Sequence, residues 1–283
     1  MPSLTRLKQE MQFNARLAGL LDALKLIAAQ QFQILERAFR SNETFFEAIQ
    51  TIAVACDLRR LSHPFTRSSG PVGVILVTSD TGLLGGLNQQ VVATAIQEFR
   101  REPGELIVVG ERGLSYVRES GLPHRAFPGV TDSARRTLAQ QVRDYVLQQA
   151  LSGRLGALSI VYPRALSFSI QRVELLRVLP CTEWLQLTGG PRVPRRPVLS
   201  ESSRDGLIEY LVWFWLGQRL FEVFGMSRIA ELAARSIHLE GSCQELERRG
   251  QRLHLRYFRE RHEVIDRSMR ELFAGRAVHG SAS

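Results

Sequence analysis

The segment Thr78 to Asn88 (TSDTGLLGGLN) carries three glycines, three hydroxyls and a carboxylate between an apolar run and a helical pattern. Phosphate-binding loops occupy such a place, because glycines let backbone N–H groups approach an anion closely. The spacing, however, is neither a Gly-Lys-Ser/Thr ending nor G-x-G-x-x-G, so the reading from the residues is a tight strand-to-helix turn. In that reading Ser79, Asp80, Gly82, Gly85, Gly86 and Asn88 shape the turn, with Asp80 as a cap rather than a catalytic acid. The six histidines show no close metal-ligand spacing, and His254 with His262 lacks a third ligand. No G-x-S-x-G elbow and no persuasive nucleophile set is present. The expectation is therefore no catalytic residue, no metal and no cofactor.

Cys56, Cys181 and Cys243 are few, odd in number and far apart, which argues against a disulfide framework and fits a reducing compartment. No apolar run approaches the roughly 18 residues that span a bilayer, the longest being Leu211 to Leu216. Nor does the N-terminus read as a secretory signal. The net charge of +9 comes almost wholly from arginine, Lys8 and Lys25 being the only lysines. Its doublets are scattered, whereas a nucleic-acid reader gathers charge on one face. A solvated arginine-rich surface, or one that meets an acidic protein partner, is the expectation.

Two kinds of element must position these residues. Of the 11 prolines, all but Pro2 lie between Pro64 and Pro197, leaving two long stretches free for unbroken helix. Alternate steps of three and four from Leu4 reach Leu7, Met11, Asn14, Ala18, Leu21, Lys25, Ala28, Phe32, Leu35 and Phe39, and continue through Asn42, Phe46, Ile49, Ala53 and Cys56. Such a sustained seam predicts a coiled-coil helix over residues 3–59. A second stripe runs Gly225, Ile229, Leu232, Ser236, Leu239, Cys243, Leu246, Gly250, Leu253 and Tyr257, then slips to Phe258, Ile265, Met269 and Leu272, which suggests a local change of supercoil. The two helices are expected to pack antiparallel, Leu21, Ala28, Phe32 and Leu35 facing the second, with much of their length projecting. Adjacent Trp213, Phe214 and Trp215 cannot all face one side, so some should meet the middle domain or a partner.

Between the helices, Val72 to Val77, Leu106 to Val109 and Ala157 to Tyr162 read as buried parallel strands, and Phe168 to Val178 as a further, antiparallel one. Helical patterns at 89–101, 111–119 and 133–151 alternate with them. The fold class expected is α/β: a long antiparallel coiled coil of N- and C-terminal helices plus a small Rossmann-like α/β domain. The boundaries are 1–60 for the first helix, 70–185 for the α/β domain, 186–203 for a Pro/Arg-rich linker and 204–275 for the last helix.

The glycine loop and the terminal helices together resemble the gamma subunit of F-type ATP synthases. The loop looks like that family's signature, with Thr81 where a basic residue is usual and Leu84 where a smaller one is common. Asp22 to Ala29 (DALKLIAA), Ile107 to Gly113 (IVVGERG), Ile160 to Tyr162, Glu231 to Arg235 (ELAAR) and Glu271 to Gly275 (ELFAG) resemble further motifs in the right order over nearly the whole chain. Near the end, Arg259 and Arg261 match the family pattern, while Phe258, His262, Asp266, Arg267 and Ser268 replace the usual Asn, Gln, Thr, Gln and Glu. The resemblance implies a non-catalytic central rotor shaft, its α/β domain a foot, turning in a ring of alpha and beta subunits and meeting an epsilon subunit and a membrane c-type ring. It implies a peripheral place on the cytoplasmic face of a bacterial inner membrane, with no nucleic acid and no membrane span. Lys25, Arg235, Arg259, Arg261, His262 and Asp266 are the expected contacts with the beta subunits. Two other classes stay open on the residues: a small Rossmann-like nucleotide-binding enzyme with coiled-coil arms, which equilibrium dialysis with ATP and NAD would reveal, and a basic coiled-coil nucleic-acid binder, which salt-dependent binding would reveal.

Overall fold

The computed structural model describes residues 4–39, 42–56, 58, 61–67, 70–101, 104–181 and 203–280. All of the expected 186–203 linker except Ser203 lies outside them. The chain divides into two compact units, Met1–Ala28 with Ser236–Ser283, and Ala29–Arg235.

The larger unit is built on a five-stranded sheet in the order β3-β2-β1-β4-β5. Strands β1 (Val72–Val77), β2 (Gly104–Val109), β3 (His124–Phe127) and β4 (Ala157–Ala165) run parallel, and β5 (Gln171–Leu179) closes one edge antiparallel to β4. The expected strands are thus present, and β3 was not foreseen: its four residues, His-Arg-Ala-Phe, show neither an apolar run nor strict alternation. Helices α3 (Leu87–Arg101), α4 (Glu111–Ser120) and α5 (Arg135–Leu151) make the crossovers. Side chains alternate along each strand, so the sheet has two buried faces. Val72, Val74 and Leu76, with Leu106 and Val108, meet α3 and α4 through Val91, Ala95, Phe99, Leu114 and Val117. Ile75, Val77, Ile107 and Val109 face the other way, onto Val142 and Val146 of α5 and Ile208, Val212, Leu216 and Phe224 of the last helix, α6 (Arg204–Gly280). The first half of α6 is therefore a core element of the α/β domain.

The first proline-free stretch is not one helix. Helix α1 (Leu4–Ala38) ends before α2 (Glu43–Ala55), and Asn42 between them is non-helical at φ −102°, ψ 43°. Its backbone N–H donates to the buried Glu222 carboxylate of α6 at 3.2 Å. Beyond it, Phe46 packs edge-on against Trp215 and lies under the Arg219 guanidinium, 4.0 Å from its ring centroid. The heptad phase continues through the break, so periodicity alone does not reveal it; Asn42 holds the N-cap place of α2 without a side-chain cap bond. Of the three adjacent aromatics, Trp215 is buried, while Trp213 and Phe214 are each 38% exposed.

The seam itself is where the spacing puts it. From Leu4 to Phe39 every stripe residue is buried or half-buried, and the same holds from Gly225 to Tyr257. In the larger unit Phe32 packs on Ile229, Leu232 and Ala233. In the smaller unit Asn14 bonds Leu246 and Lys25 pairs with Glu240, so the helices run antiparallel. Continued back at equal rise, α1 runs out about level with Tyr257. The slip of the stripe after Tyr257 thus coincides with the start of the described part of α1. Every residue from Arg261 to Glu271 is exposed.

Burial, and then its 2.6 Å hydrogen bond to Glu105, push the Tyr145 phenol up to about 12. A raised phenol favours the folded state fully below its unfolded value of about 10 and loses that contribution as pH rises toward 12. The urea midpoint should therefore fall between pH 10 and 12, and Tyr145→Phe should flatten that part of the curve. An unchanged slope in the variant would remove Tyr145 from the account.

Candidate functional site

The strand order reverses between β1 and β4, and open α/β sheets take their ligands outside the carboxyl ends of the strands at such a point. In this chain that place is filled. Val77, Thr78, Ser79, Leu87, Asn88 and Pro163 face Ser227, Arg228 and Glu231 of α6 across a cavity of about 10 Å³, room for at most one water. Leu84 and Leu87 pack on Ala234 of α6.

Side-chain chemistry explains the loop's closure. Thr78 Oγ1 donates to Val109 O at 2.8 Å and accepts from Gly113 N at 2.9 Å, tying β1 to the start of α4. Asp80 Oδ1 accepts from Glu111 N, the first residue of α4, at 3.0 Å, so Asp80 bonds the start of that helix rather than its own turn. Asn88 Oδ1 accepts from Ser79 N at 3.2 Å while Asn88 Nδ2 donates to Ser79 Oγ at 2.9 Å, fastening the loop to α3. Ser79 Oγ in turn donates to Thr81 O. These groups are thereby engaged within the chain.

The glycines divide unevenly. Gly85 has φ +60°, a left-handed conformation that a side chain resists, whereas Gly82 and Gly86 have no such backbone. Gly82 lies beside the Arg112 guanidinium and Gly86 has open space around it. Sequence reasoning did not single out Gly110, which is more constrained than any glycine of the loop. It has φ +100°, and a Cβ there would sit 2.3 Å from Thr78 O. Its place between β2 and α4, touching β1, is a tertiary fact that local spacing does not carry.

A charged clamp holds the loop to α6. Glu231, its side chain only 9% exposed, accepts from Arg228 Nη1 at 2.8 Å and Arg235 Nη2 at 2.6 Å. Arg235 also donates to Thr81 Oγ1, so Thr81 is where the long helix grips the loop. Bonds from guanidinium to carboxylate are among the stronger hydrogen bonds. Removing one partner of a buried pair costs about 3–5 kcal/mol, because the other charge is left uncompensated.

The six expected contact residues fall into two sets. Arg235 is engaged in the clamp, and Lys25 bridges Asp22 at 2.6 Å and Glu240 at 2.9 Å across the helix pair. The Asp22 and Glu240 bonds hold the Lys25 amine above its ordinary range, and Lys25 holds Glu240 below the ordinary carboxylate range. Arg259, Arg261, His262 and Asp266 are all exposed on α6. A surface not singled out beforehand accompanies Lys25: Leu20, Leu24 and Ile27 of α1 are exposed. Their spacing of four and three, off the seam, is the signal that marks them as a second apolar stripe.

Gly110→Ala should impair folding severely, whereas Gly85→Ala should cost about 1 kcal/mol of stability. Nucleotide affinity of an assembled complex should be unchanged by Gly85→Ala. Thermal melts and nucleotide titration check this, and a selective loss of nucleotide binding with assembly intact would restore the phosphate-loop reading.

Known proteins match this arrangement. The family model for ATP synthase matches residues 3–278. The ATP synthase gamma chain of Pelotomaculum thermopropionicum is 23% identical, over 98% of this chain and 99% of its own length. That of Chlorobaculum tepidum is 27% identical, over 89% and 88%. Among solved structures, a chain of the Euglena gracilis mitochondrial ATP synthase OSCP/F1/c-ring assembly superposes with a TM-score of 0.73 at 15% identity, covering 99% of this chain and 96% of that one. A chain of the same organism's ATP synthase rotor gives 0.67 at 16% identity, covering 93% and 98%. The structural likeness reproduces the fold at low identity, the relatives match end to end, and the family model spans nearly every residue: this chain belongs to the ATP synthase gamma-chain family.

Proposed function

We propose that the chain works as the central stalk of a bacterial F-type ATP synthase, peripheral at the cytoplasmic face of the inner membrane. Its partners in this reading are the alpha and beta subunits, an epsilon subunit and the c-type membrane ring. The observation that carries the reading is α6: one 77-residue helix that is core to the α/β domain, pairs with α1, and continues past that partner with exposed side chains. The family and the rotor assemblies among its structural neighbours support the same role. No helix among the described residues is long and apolar enough to cross a membrane. The nucleotide-enzyme reading has no support from the sheet, whose switch-point crevice is closed by α6.

ATP chemistry belongs to the beta subunits, and the stalk biases them. A partner shifts an equilibrium only by contacting its states unequally, so a shaft must present different faces to different sites. Residues 204–275, paired with α1 from within residues 1–60, form that shaft, and residues 70–185 form the foot toward epsilon and the ring. Arg259, Arg261, His262 and Asp266 meet the beta subunits directly. Lys25 and Arg235 act at one remove, by holding α1 to α6 and the glycine loop to α6. Exposed ion pairs are worth only about 0–1 kcal/mol each, so a turning shaft can pass acidic segments without being trapped.

In the reconstituted complex, Arg261→Ala should reduce ion pumping severalfold relative to ATP hydrolysis while nucleotide still binds the beta sites. Asp266→Thr should be mild or improve coupling, since a carboxylate there opposes an acidic partner. Unchanged rates and ratio in Arg261→Ala would remove that contact. Full coupling in a complex assembled without this chain would remove the stalk role itself.

A further inference from the structure

Within the smaller unit the α1 side of the seam contains two polar residues, and each is tied to α6 at one level. Asn14 is 6% exposed, its Nδ2 donating to Leu246 O at 2.8 Å. Gly250 provides the room: a Cβ there would stand 3.2 Å from Asn14 Nδ2. Asn14 Oδ1 is buried without a hydrogen-bond partner, so the amide does not maximise stability. Lys25 pairs with Glu240 at 2.9 Å in the same antiparallel alignment. The apolar seam between them is undemanding. Ala18, Leu21 and Cys243 are small or only half-buried, and such a seam tolerates sliding.

We propose that Asn14, seconded by Lys25, is the positioning residue that sets the axial register of α1 against α6. A leucine in Asn14's place would bury more apolar surface in several registers alike, whereas the amide is satisfied only where a carbonyl faces it and the opposing residue lacks a side chain. A buried asparagine at a seam position selects one alignment at a cost in stability. Register matters because it sets how much of α6 extends beyond the start of α1. A slip of one heptad moves that end by about 10 Å. On the stalk reading above, the exposed Arg259 to Asp266 segment would then meet the wrong level of its partners.

The test uses the full-length chain with spin labels at Arg16→Cys and Arg248→Cys, both exposed, and with Cys56 and Cys243 changed to Ser. Cys181 is buried with its thiol pushed up to about 12, so it stays unlabelled. The parent should give one narrow distance. Asn14→Leu should melt at a higher temperature yet show two or more distance populations, separated by up to about 10 Å. Adding Lys25→Met should broaden the distribution further. A single unchanged distance in both variants overturns the proposal, whatever the melting temperature. A separate measurement, ions pumped per ATP in the reconstituted complex, tests the consequence: the ratio should fall in Asn14→Leu. If the distances spread and the ratio stays, register selection stands and its role in coupling fails. A merely structural asparagine would lower the melting temperature on removal and leave one distance.

Discussion

The larger unit depends on one buried carboxylate and the helix that carries it. Glu231 sits in α6 with Arg228 a turn before and Arg235 a turn after, and Arg235 reaches Thr81 in the loop after β1. The spacing of three and four puts all three on one helix face. Because the same helix supplies Ile208, Leu216 and Phe224 to the sheet's core, the loop, the sheet and α6 are fastened to one another at several points. A domain fixed to its helix only by apolar contact could rock. Directional bonds at the loop oppose that, and a stalk that passes rotation through α6 needs such opposition.

The same packing separates fold from chemistry. A doubly wound sheet with a glycine loop at its switch point is the setting in which many proteins hold a nucleotide. Here the backbone N–H of Ser79 bonds Asn88, the Asp80 carboxylate bonds the N-terminus of α4, and α6 occupies the crevice. Two of the donors at this place, Ser79 N and Glu111 N, meet side chains of the chain itself. The cleft of the scaffold is here a joint between the loop and α6.

Much of this was legible in the residues, because it rests on local rules. The parallel strands show as β-branched runs and the seam as alternate threes and fours. What stayed hidden depends on contacts distant in sequence. The start of α2 is held by Glu222, far along the chain, which accepts from Asn42 N while the heptad phase runs on undisturbed. The stripe's slip after Tyr257 falls level with the start of the described part of α1. Gly110, more constrained than any glycine of the signature loop, is needed because β1 presses on it. Asp80's partner helix likewise lies two elements away.

The arginines call for the largest change of reading. As scattered doublets they look like a solvated surface, yet several are internal fastenings. The Arg143 side chain is 8% exposed, paired with Asp144, and lies 3.7 Å over the Trp213 ring. Arg135 lies 4.1 Å over Phe221, its charged form disfavoured first by burial. Arg219 bonds Glu222 and covers Phe46. Each of these sites uses the flat face of a guanidinium against a ring, or its edge in a fork of hydrogen bonds, and an ammonium offers neither. At these sites a lysine would not serve in the arginine's place. Such fastenings also mean that the net charge of +9 overstates what is free to meet a partner. The arginines available for contact are those with exposed side chains, and on α6, beyond Arg204, they run from Arg248, Arg249, Arg252 and Arg256 to Arg259, Arg261, Arg267 and Arg270.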